Sequence, residues 1–162
     1  MYKIFIEKNT STKALLDKVL KRLNISDEII YNEYGKPYLK NSNLYFNLSD
    51  SKGVSACVIS DKEVGIDIEK LRKTNLNVID KFATPKEKEY ILSNSNNIEK
   101  RLFEIYTLKE AYFKMLGTNL YNIKDVEFNI NDSNITCSDK NIHCNVYYTI
   151  KGYIIAICKN NN

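Results

Sequence analysis

Residues 63–69, with the sequence EVGIDIE, constrain the fold of this chain more than any other stretch. Side chains on a β-strand alternate between its two faces, so Ile66 and Ile68 point together toward a core. Asp67 and Glu69 then share the opposite face, where two neighbouring carboxylates repel each other unless a positive charge lies between them. A divalent cation that prefers oxygen ligands, such as Mg²⁺, would supply that charge. The residues alone leave open a simpler interpretation, in which both acids lie on a solvated edge strand.

A long helix is predicted for residues 97–116, ending at Gly117. Residues four apart stack on one face of a helix, so Tyr106, Glu110 and Lys114 form one stripe. Glu110 would supply a third carboxylate, and Lys114 one turn further along would meet a phosphate. An ordinary surface pair of glutamate and lysine explains the same spacing, and such pairs are common on helices.

The rest of the hydrophobic pattern alternates helices with strands and predicts an α+β fold. Strands are predicted at residues 2–7, 54–59, 63–69, 125–130, 143–150 and 153–158, with 54–59 and 63–69 forming a hairpin. Helices are predicted at residues 12–23, near 75–82, and from Thr84, where Thr84-Pro85-Lys86-Glu87 matches a capping box with proline at the first helical position. Residues 24–53 are predicted to be mostly loop with short extended pieces.

Composition excludes several classes of protein. With 162 residues, 43% of them hydrophobic and 27% charged, the chain is expected to be globular. The net charge of +4 and the presence of only three arginines make nucleic acid an unlikely partner and favour a phosphorylated cofactor or an acidic protein. The start of the chain is too charged for a signal peptide and no run is long enough to span a membrane, so a cytoplasmic location is expected.

The four cysteines, Cys57, Cys137, Cys144 and Cys158, contain no CxxC pair. We expect buried free thiols in a reducing compartment rather than a zinc site. His143 is the sole histidine, so a histidine-based catalytic triad is hard to assemble.

Three ordered motifs resemble those of the Sfp-type 4′-phosphopantetheinyl transferases. The first is VGIDIEK, and the second is the helix segment Tyr106–Lys114, which is similar to the family pattern (W/F)-x-x-K-E-(A/S)-x-x-K. The third is Tyr34-Gly35-Lys36-Pro37 followed by Phe46-Asn47-Leu48-Ser49, which resembles the family's YGKP and FN(I/L)SHS elements. The resemblance runs from about residue 11 to the C-terminus.

The resemblance implies a reaction. The phosphopantetheine arm of coenzyme A (CoA) moves to a serine of an acyl, peptidyl or aryl carrier protein, and 3′,5′-ADP is released. Asp67, Glu69 and Glu110 would hold Mg²⁺ with the CoA pyrophosphate. Glu110 would also accept the serine proton, and Lys114 would stabilise the departing phosphate. The residues implied in CoA binding are Lys13, Gly35, Lys36, Pro37, Ser49, Asp50, Lys109 and Lys114.

The resemblance also implies an architecture. We expect the 4′-phosphopantetheinyl transferase fold in a single domain over residues 1–162, with similar half-domains at about 1–68 and 69–162 and the active site between them. Each half-domain would pack a helix on a small antiparallel sheet, the two related by a pseudo-twofold axis. The chain is expected to act as a monomer. Residues 70–85 and 117–125 are candidates for docking the carrier protein.

This chain departs from the family pattern at three places. Asp50 stands where the family usually has a histidine, and an aspartate there repels a phosphate unless it is protonated, turned away or bridged by a cation. Tyr106 replaces the usual tryptophan or phenylalanine, which we interpret as a packing difference. The segment ahead of the first helix is also shorter than usual.

Two alternatives remain from the sequence. The first is a non-catalytic relative that binds CoA or a carrier protein, which Asp50 and the short first segment favour and the complete set of four site residues opposes. The second is an unrelated Mg²⁺-dependent enzyme such as a nuclease, which the scarcity of arginine opposes.

Overall fold

The computed structural model of the protein describes residues 1–118, 122–132 and 134–161. Within these ranges the strands are β1 Tyr2–Lys8, β2 Ile29–Tyr31, β3 Pro37–Leu39, β4 Tyr45–Ser51, β5 Val54–Ser60, β6 Val64–Lys70, β7 Phe128–Asn131, β8 Asn134–Cys137, β9 Ile142–Tyr147 and β10 Tyr153–Asn160. The α-helices are α1 Thr12–Arg22, α2 Ile79–Phe82, α3 Pro85–Leu92 and α4 Ile98–Leu116. No helix in this part of the chain is both long and apolar enough to cross a membrane.

Two three-stranded antiparallel sheets form the body of the molecule. The first has the order β1-β5-β4 and carries α1, while the second has the order β6-β10-β9 and carries α4. Two shorter pairs, β2-β3 and β7-β8, complete the strands. The predicted α+β fold, with helices on small antiparallel sheets, is confirmed.

Strands β5 and β6 do not form the predicted hairpin. Both edges of β5 are occupied, one by β1 and the other by β4, so β6 finds no free edge there and pairs with β10 instead. The chain therefore passes from the first sheet to the second at residues 61–63. The half-domain boundary near residue 68 stays a prediction. Strand β6, which lies just ahead of that boundary, is hydrogen-bonded to β10 of the second sheet.

Side chains of β4, rather than a backbone ladder, join the two sheets. Three backbone N–H groups of β6 donate to three side-chain oxygens of β4: Ile66 to Asn47 at 3.0 Å, Ile68 to Ser49 at 3.2 Å, and Lys70 to Ser51 at 3.1 Å. The intervening side chains of Phe46 and Leu48 pack into the core under α1. This alternation makes residues 45–51 a full strand, where the sequence analysis expected mostly loop.

Gly65 allows β6 to lie directly against α4. A Cβ atom at this position would be 1.9 Å from the carbonyl oxygen of Ala111 and 2.5 Å from the backbone nitrogen of Met115. Only glycine permits so close an approach of a strand to a helix. Asp67 follows on the same face of β6 and therefore lies beside the last turns of α4.

The predicted helices lie close to their expected positions. The hydroxyl of Thr84 accepts a hydrogen bond from the backbone of Glu87, and the Glu87 side chain accepts one from the backbone of Thr84, so α3 has the predicted capping box. Helix α4 ends at Gly117, whose φ of 64° is the left-handed conformation favoured by glycine. Strand β8 was not predicted.

Two of the four cysteines are not free thiols. Cys144 and Cys158 face each other directly across β9 and β10, with Cα atoms 4.3 Å apart, and form a disulfide. Cys57 and Cys137 are buried free thiols, as expected. The prediction of four free thiols was wrong for the pair because a sequence does not show which residues lie opposite each other in a sheet.

Candidate active site

Asp67 is the centre of a buried hydrogen-bonded cluster between the two sheets. Its Oδ1 atom accepts hydrogen bonds from Lys114 Nζ at 2.6 Å and from Ser49 Oγ at 2.8 Å. Lys114 Nζ also donates to Ser49 Oγ at 3.0 Å, which closes a triangle of three polar groups. Burial raises the pKa of Asp67, and the Lys114 ammonium opposes that rise.

The second carboxylate oxygen of Asp67 differs from the first. Oδ2 is buried and has no hydrogen-bond partner among the described residues. Burying a carboxylate oxygen without a hydrogen-bond partner costs free energy, so such atoms are rare in folded proteins. An oxygen donor in this condition fits a hard cation such as Mg²⁺.

Glu110 lies one helical turn before Lys114 and near Asp67. Burial raises the pKa of Glu110, the negative charge of Asp67 raises it further, and Lys114 and a hydrogen bond with Tyr106 oppose the rise. Burial and the nearby Glu110 carboxylate raise the pKa of Tyr106 to about 12, so the phenol stays protonated and is the donor. Glu110 is thus a carboxylate with increased proton affinity beside a protonated tyrosine.

Glu69 is turned away from this group toward Arg72. Its Oε2 atom accepts hydrogen bonds from Arg72 Nη1 at 2.8 Å and from Ser51 Oγ at 3.3 Å. The charges of Glu69 and Asp67 both still raise the pKa of Glu110, so the three acids share one region. In the described part of the chain, however, no three acidic, histidine or cysteine side chains are grouped closely enough to hold one metal ion.

Two cavities meet at Glu110. The first, of about 230 Å³, is lined by residues distant in sequence, among them Gly35, Lys36, Pro37, Glu110 and Lys114. The second, of about 350 Å³, is lined by Arg72, Phe82, Phe103, Tyr106, Glu110 and others. Glu110 therefore faces a space lined by residues of the YGKP segment as well as a space lined largely by aromatic and aliphatic groups.

The segment Tyr34–Pro37 is fixed to the end of α4. The Lys36 ammonium donates a hydrogen bond to the carbonyl of Met115, and the Asn32 side-chain amide donates to the carbonyl of Gly117 at 2.8 Å. The Lys36 side chain thus satisfies a carbonyl in the last turn of the helix. Its ammonium already has a hydrogen-bond acceptor within the protein, and the CoA-binding role of Lys36 stays a prediction.

Lys109 lies away from the site. Its side chain is 0% exposed and its ammonium is 3.0 Å from Glu87, which is also 0% exposed. The same ammonium donates to the carbonyls of Ile123 and Val126. One residue along a helix turns the side chain by about 100°, so Lys109 faces α3 while Glu110 faces the cavities. The CoA-binding role predicted for Lys109 does not fit this position.

Three further predicted CoA ligands line neither cavity, and one of them, Ser49, belongs to the Asp67 cluster. Lys13 is exposed on α1, and Asp50 is exposed on the face of β4 opposite Ser49. Asp50 is therefore turned away from the Asp67 cluster, which is one of the ways in which an aspartate at this position avoids repelling a phosphate.

Both predicted docking regions contribute residues to the second cavity, and carrier docking there stays a prediction. Residues 70–85 supply part of the wall of the second cavity, including Arg72 and Phe82. In the region 117–125, residues 119–121 lie outside the described residues, while Ile123 contributes to the same wall.

Sequence reasoning missed two residues that hold Glu69 in place. Ser51 and Arg72 both contact Glu69. The period-two pattern of Asn47, Ser49 and Ser51 was a usable signal for the first of these, since it places all three side chains on one face of a strand.

Known proteins are similar to this chain in sequence and in fold. The chain matches the 4′-phosphopantetheinyl transferase superfamily over residues 63–158, more than half of its length, and therefore belongs to that family. The resemblance seen in the three motifs is thus confirmed.

Individual relatives agree with the family assignment. The chain is 32% identical to the 4′-phosphopantetheinyl transferase gsp of Aneurinibacillus migulanus, over 72% of this chain and 53% of that protein. It is 33% identical to HetI of Nostoc, over 60% of this chain and 44% of that protein. It is 28% identical to Sfp of Bacillus subtilis, over 72% of this chain and 57% of that protein. The chain spans about half the length of these relatives.

A solved structure shares the fold. The holo-[acyl-carrier-protein] synthase of Thermotoga maritima superposes with a TM-score of 0.53 and 21% sequence identity, over 62% of this chain and 63% of that chain. At this identity the likeness concerns the arrangement of helices and sheets.

Proposed function

We propose that this protein transfers the 4′-phosphopantetheine arm of CoA to a serine of an apo carrier protein. One observation carries the proposal: Glu110 and Lys114 line the same cavity as the YGKP segment, and Lys114 pairs with the buried Asp67. The names of the relatives above, all 4′-phosphopantetheinyl transferases, support the same activity.

Asp67, Glu69 and Glu110 would hold Mg²⁺ in this proposal. The unpartnered Oδ2 of Asp67 supports it, as does the all-oxygen character of the set. When bound, Mg²⁺ would neutralise charge on the CoA pyrophosphate and on the departing phosphate.

Glu110 would act as the general base. Its raised pKa improves its match to a reaction near neutral pH, because a base is most effective when its pKa lies near the working pH. The serine hydroxyl would give its proton to Glu110 while its oxygen bonds to the β-phosphorus of CoA and the bond to 3′,5′-ADP breaks.

Lys114 would stabilise the leaving group. It is one-third exposed at the first cavity, and Ser49 and Asp67 hold its ammonium in place. A fixed ammonium beside the departing phosphate balances the charge that develops there without reorganisation during the reaction.

The second cavity would receive the carrier protein. It has Glu110 in common with the first cavity, and its wall includes residues of the predicted docking region 70–85. Arg72 and Lys81 add positive charge to that wall, which suits an acidic partner. Action as a monomer in the cytoplasm, expected from the sequence, is part of this proposal.

Asp67→Asn and Glu110→Gln test the roles of the two acids. We expect each variant to lower the initial rate of phosphopantetheine transfer by about a hundredfold or more, since each removes a charge that the reaction needs. Asp61→Asn is the matched control, because Asp61 is an exposed acid that pairs with the N-terminal ammonium and lines neither cavity. A rate within twofold of the unmodified protein in Asp67→Asn, with the fold intact by circular dichroism, would contradict the assignment.

A further inference from the structure

Arg72 contacts one of the three proposed metal ligands. Its Nη1 atom lies 2.8 Å from Glu69 Oε2 and 2.9 Å from the carbonyl oxygen of Lys70. The guanidinium also lies over the ring of Phe103, with its central carbon 4.7 Å from the ring centroid. These three contacts hold a positive charge directly against the Glu69 carboxylate.

The two proposed carboxylate ligands on β6 differ in the hydrogen bonds that their oxygens accept. Asp67 Oδ2 has no partner among the described residues, whereas Glu69 Oε2 accepts from both Arg72 and Ser51. A metal ion approaching Glu69 would be repelled by the Arg72 guanidinium. It would also have to displace the hydrogen bond that Arg72 donates to Glu69. The lack of a three-ligand group in the described part of the chain agrees with this.

We propose that Arg72 is a positioning residue that occupies Glu69 in the metal-free protein and lowers its affinity for divalent cations until Glu69 exchanges the guanidinium for the ion. After the exchange the guanidinium would keep its cation–π contact with the Phe103 ring, because that contact does not involve the Glu69 carboxylate. The inference rests on the proposed function, since it takes Glu69 as a metal ligand.

The inference predicts the direction and size of a change in affinity. The pair is partly exposed, with 46% of the Arg72 side chain and 20% of the Glu69 side chain accessible. An ion pair of this kind has a modest strength, so we expect Arg72→Gln to bind Mn²⁺ about fivefold more tightly than the unmodified protein. The probe is Mn²⁺ alone, with the free ion measured by electron paramagnetic resonance on the full chain without CoA.

A matched control separates pairing from net charge. Lys70→Gln removes one positive charge from the next position along β6, where the Lys70 ammonium lies 5.9 Å from the ring of Tyr153 and not on Glu69. We expect its Mn²⁺ affinity to change by less than about twofold, as for a screened surface charge. Arg72→Lys, which keeps the charge but loses the planar fork, should lie between Arg72→Gln and the unmodified protein.

The outcomes distinguish this inference from the proposed function. Equal affinities for Arg72→Gln and the unmodified protein, or equal gains in Arg72→Gln and Lys70→Gln, would overturn the role of Arg72. If Asp67→Asn also abolished binding in that case, the metal site itself would stand. Absence of Mn²⁺ binding in every protein, Arg72→Gln included, would overturn the metal site and the inference together.

A second measurement needs no variant. The chain has only three arginines, Arg22, Arg72 and Arg101, so their side-chain Nε–Hε signals can be resolved by nuclear magnetic resonance. Adding Mg²⁺ should move the Arg72 signal as its partner changes and leave that of Arg101, which lies over Tyr90, in place. Saturating Mg²⁺ without movement of the Arg72 signal would overturn the proposal.

Discussion

Glu110 illustrates, at the scale of a single residue, how a site can reduce the stability of the fold that carries it. Burial and the charge of Asp67 raise its pKa above the ordinary value of 4.5. When folding raises the pKa of a carboxyl group, the protonated form stabilises the folded state. This contribution to the free energy of unfolding is complete below the ordinary pKa, and it is lost as the pH rises through the folded-state pKa. Above its folded-state pKa the charged Glu110 therefore destabilises the protein relative to a neutral side chain of the same shape.

Glu110→Gln should consequently stabilise the metal-free protein while reducing transfer. We expect the melting temperature to rise by about 2–5 °C at pH 8 and the gain to shrink as the pH falls toward 4.5. Thermal unfolding followed by circular dichroism in EDTA across this pH range measures the effect, with Glu89→Gln, an exposed acid on α3, as control. A gain that stayed constant with pH would show that burial of the charge is not its cause.

Lys109 and Glu87 form a second buried charged pair, with a structural role. Burial lowers the pKa of Lys109, and the charge of Glu87 opposes that shift. Glu87 also accepts hydrogen bonds from the backbone N–H groups of Thr84 and Phe128, both at 2.8 Å. The pair therefore ties α4 to α3 and to β7.

Removing one partner of this pair should be costly. We expect Lys109→Met to lower the free energy of unfolding by about 3–5 kcal/mol, because the Glu87 carboxylate is left buried without a counter-charge. The double variant Lys109→Met with Glu87→Leu should recover part of that loss. Urea unfolding of the two single variants and the double variant measures the coupling, and strictly additive losses would count against the pair.

At the scale of elements, the close contact between β6 and α4 places Asp67 beside Lys114. Gly65→Ala would place a Cβ atom 1.9 Å from the Ala111 carbonyl, and the backbone of neither element can yield without moving Asp67 away from Lys114. We expect a loss of about 1–3 kcal/mol in the free energy of unfolding, as for other overpacked sites, together with a reduced transfer rate.

Gly152→Ala provides a comparison for Gly65→Ala. Gly152 has a φ of 81°, but no atom lies within 4 Å of its added Cβ. Its transfer rate should therefore stay near that of the unmodified protein, even though the positive φ costs stability. Equal loss of transfer in both variants would mean that the approach of β6 to α4 is not what positions the site.

The elements could be predicted from local patterns, whereas their pairing could not. A period near 3.6, a capping box and a terminal glycine located α1, α3 and α4. The hairpin of β5 and β6 was wrong because adjacency in sequence does not reveal that both edges of β5 are taken. Strand β4 was missed because its polar residues, which suggest a turn, accept hydrogen bonds from β6.

At the scale of the whole molecule, the candidate site depends on contacts between the two sheets. The predicted residues Asp67, Glu110 and Lys114 lie together, because strand alternation and helix periodicity each determined which way they face. Lys109 was misplaced and the contact of Arg72 with Glu69 was missed. Both depend on what packs against a side chain, and a motif does not contain that information.

The most direct test of the proposed function is intact-protein mass spectrometry of an apo carrier protein incubated with this chain, CoA and Mg²⁺. We predict that the carrier gains the mass of one phosphopantetheine group, and that EDTA or omission of CoA prevents the gain. No gain across acyl, peptidyl and aryl carriers, with the chain folded and CoA bound, would contradict the proposed transfer and identify a non-catalytic binding protein of this family.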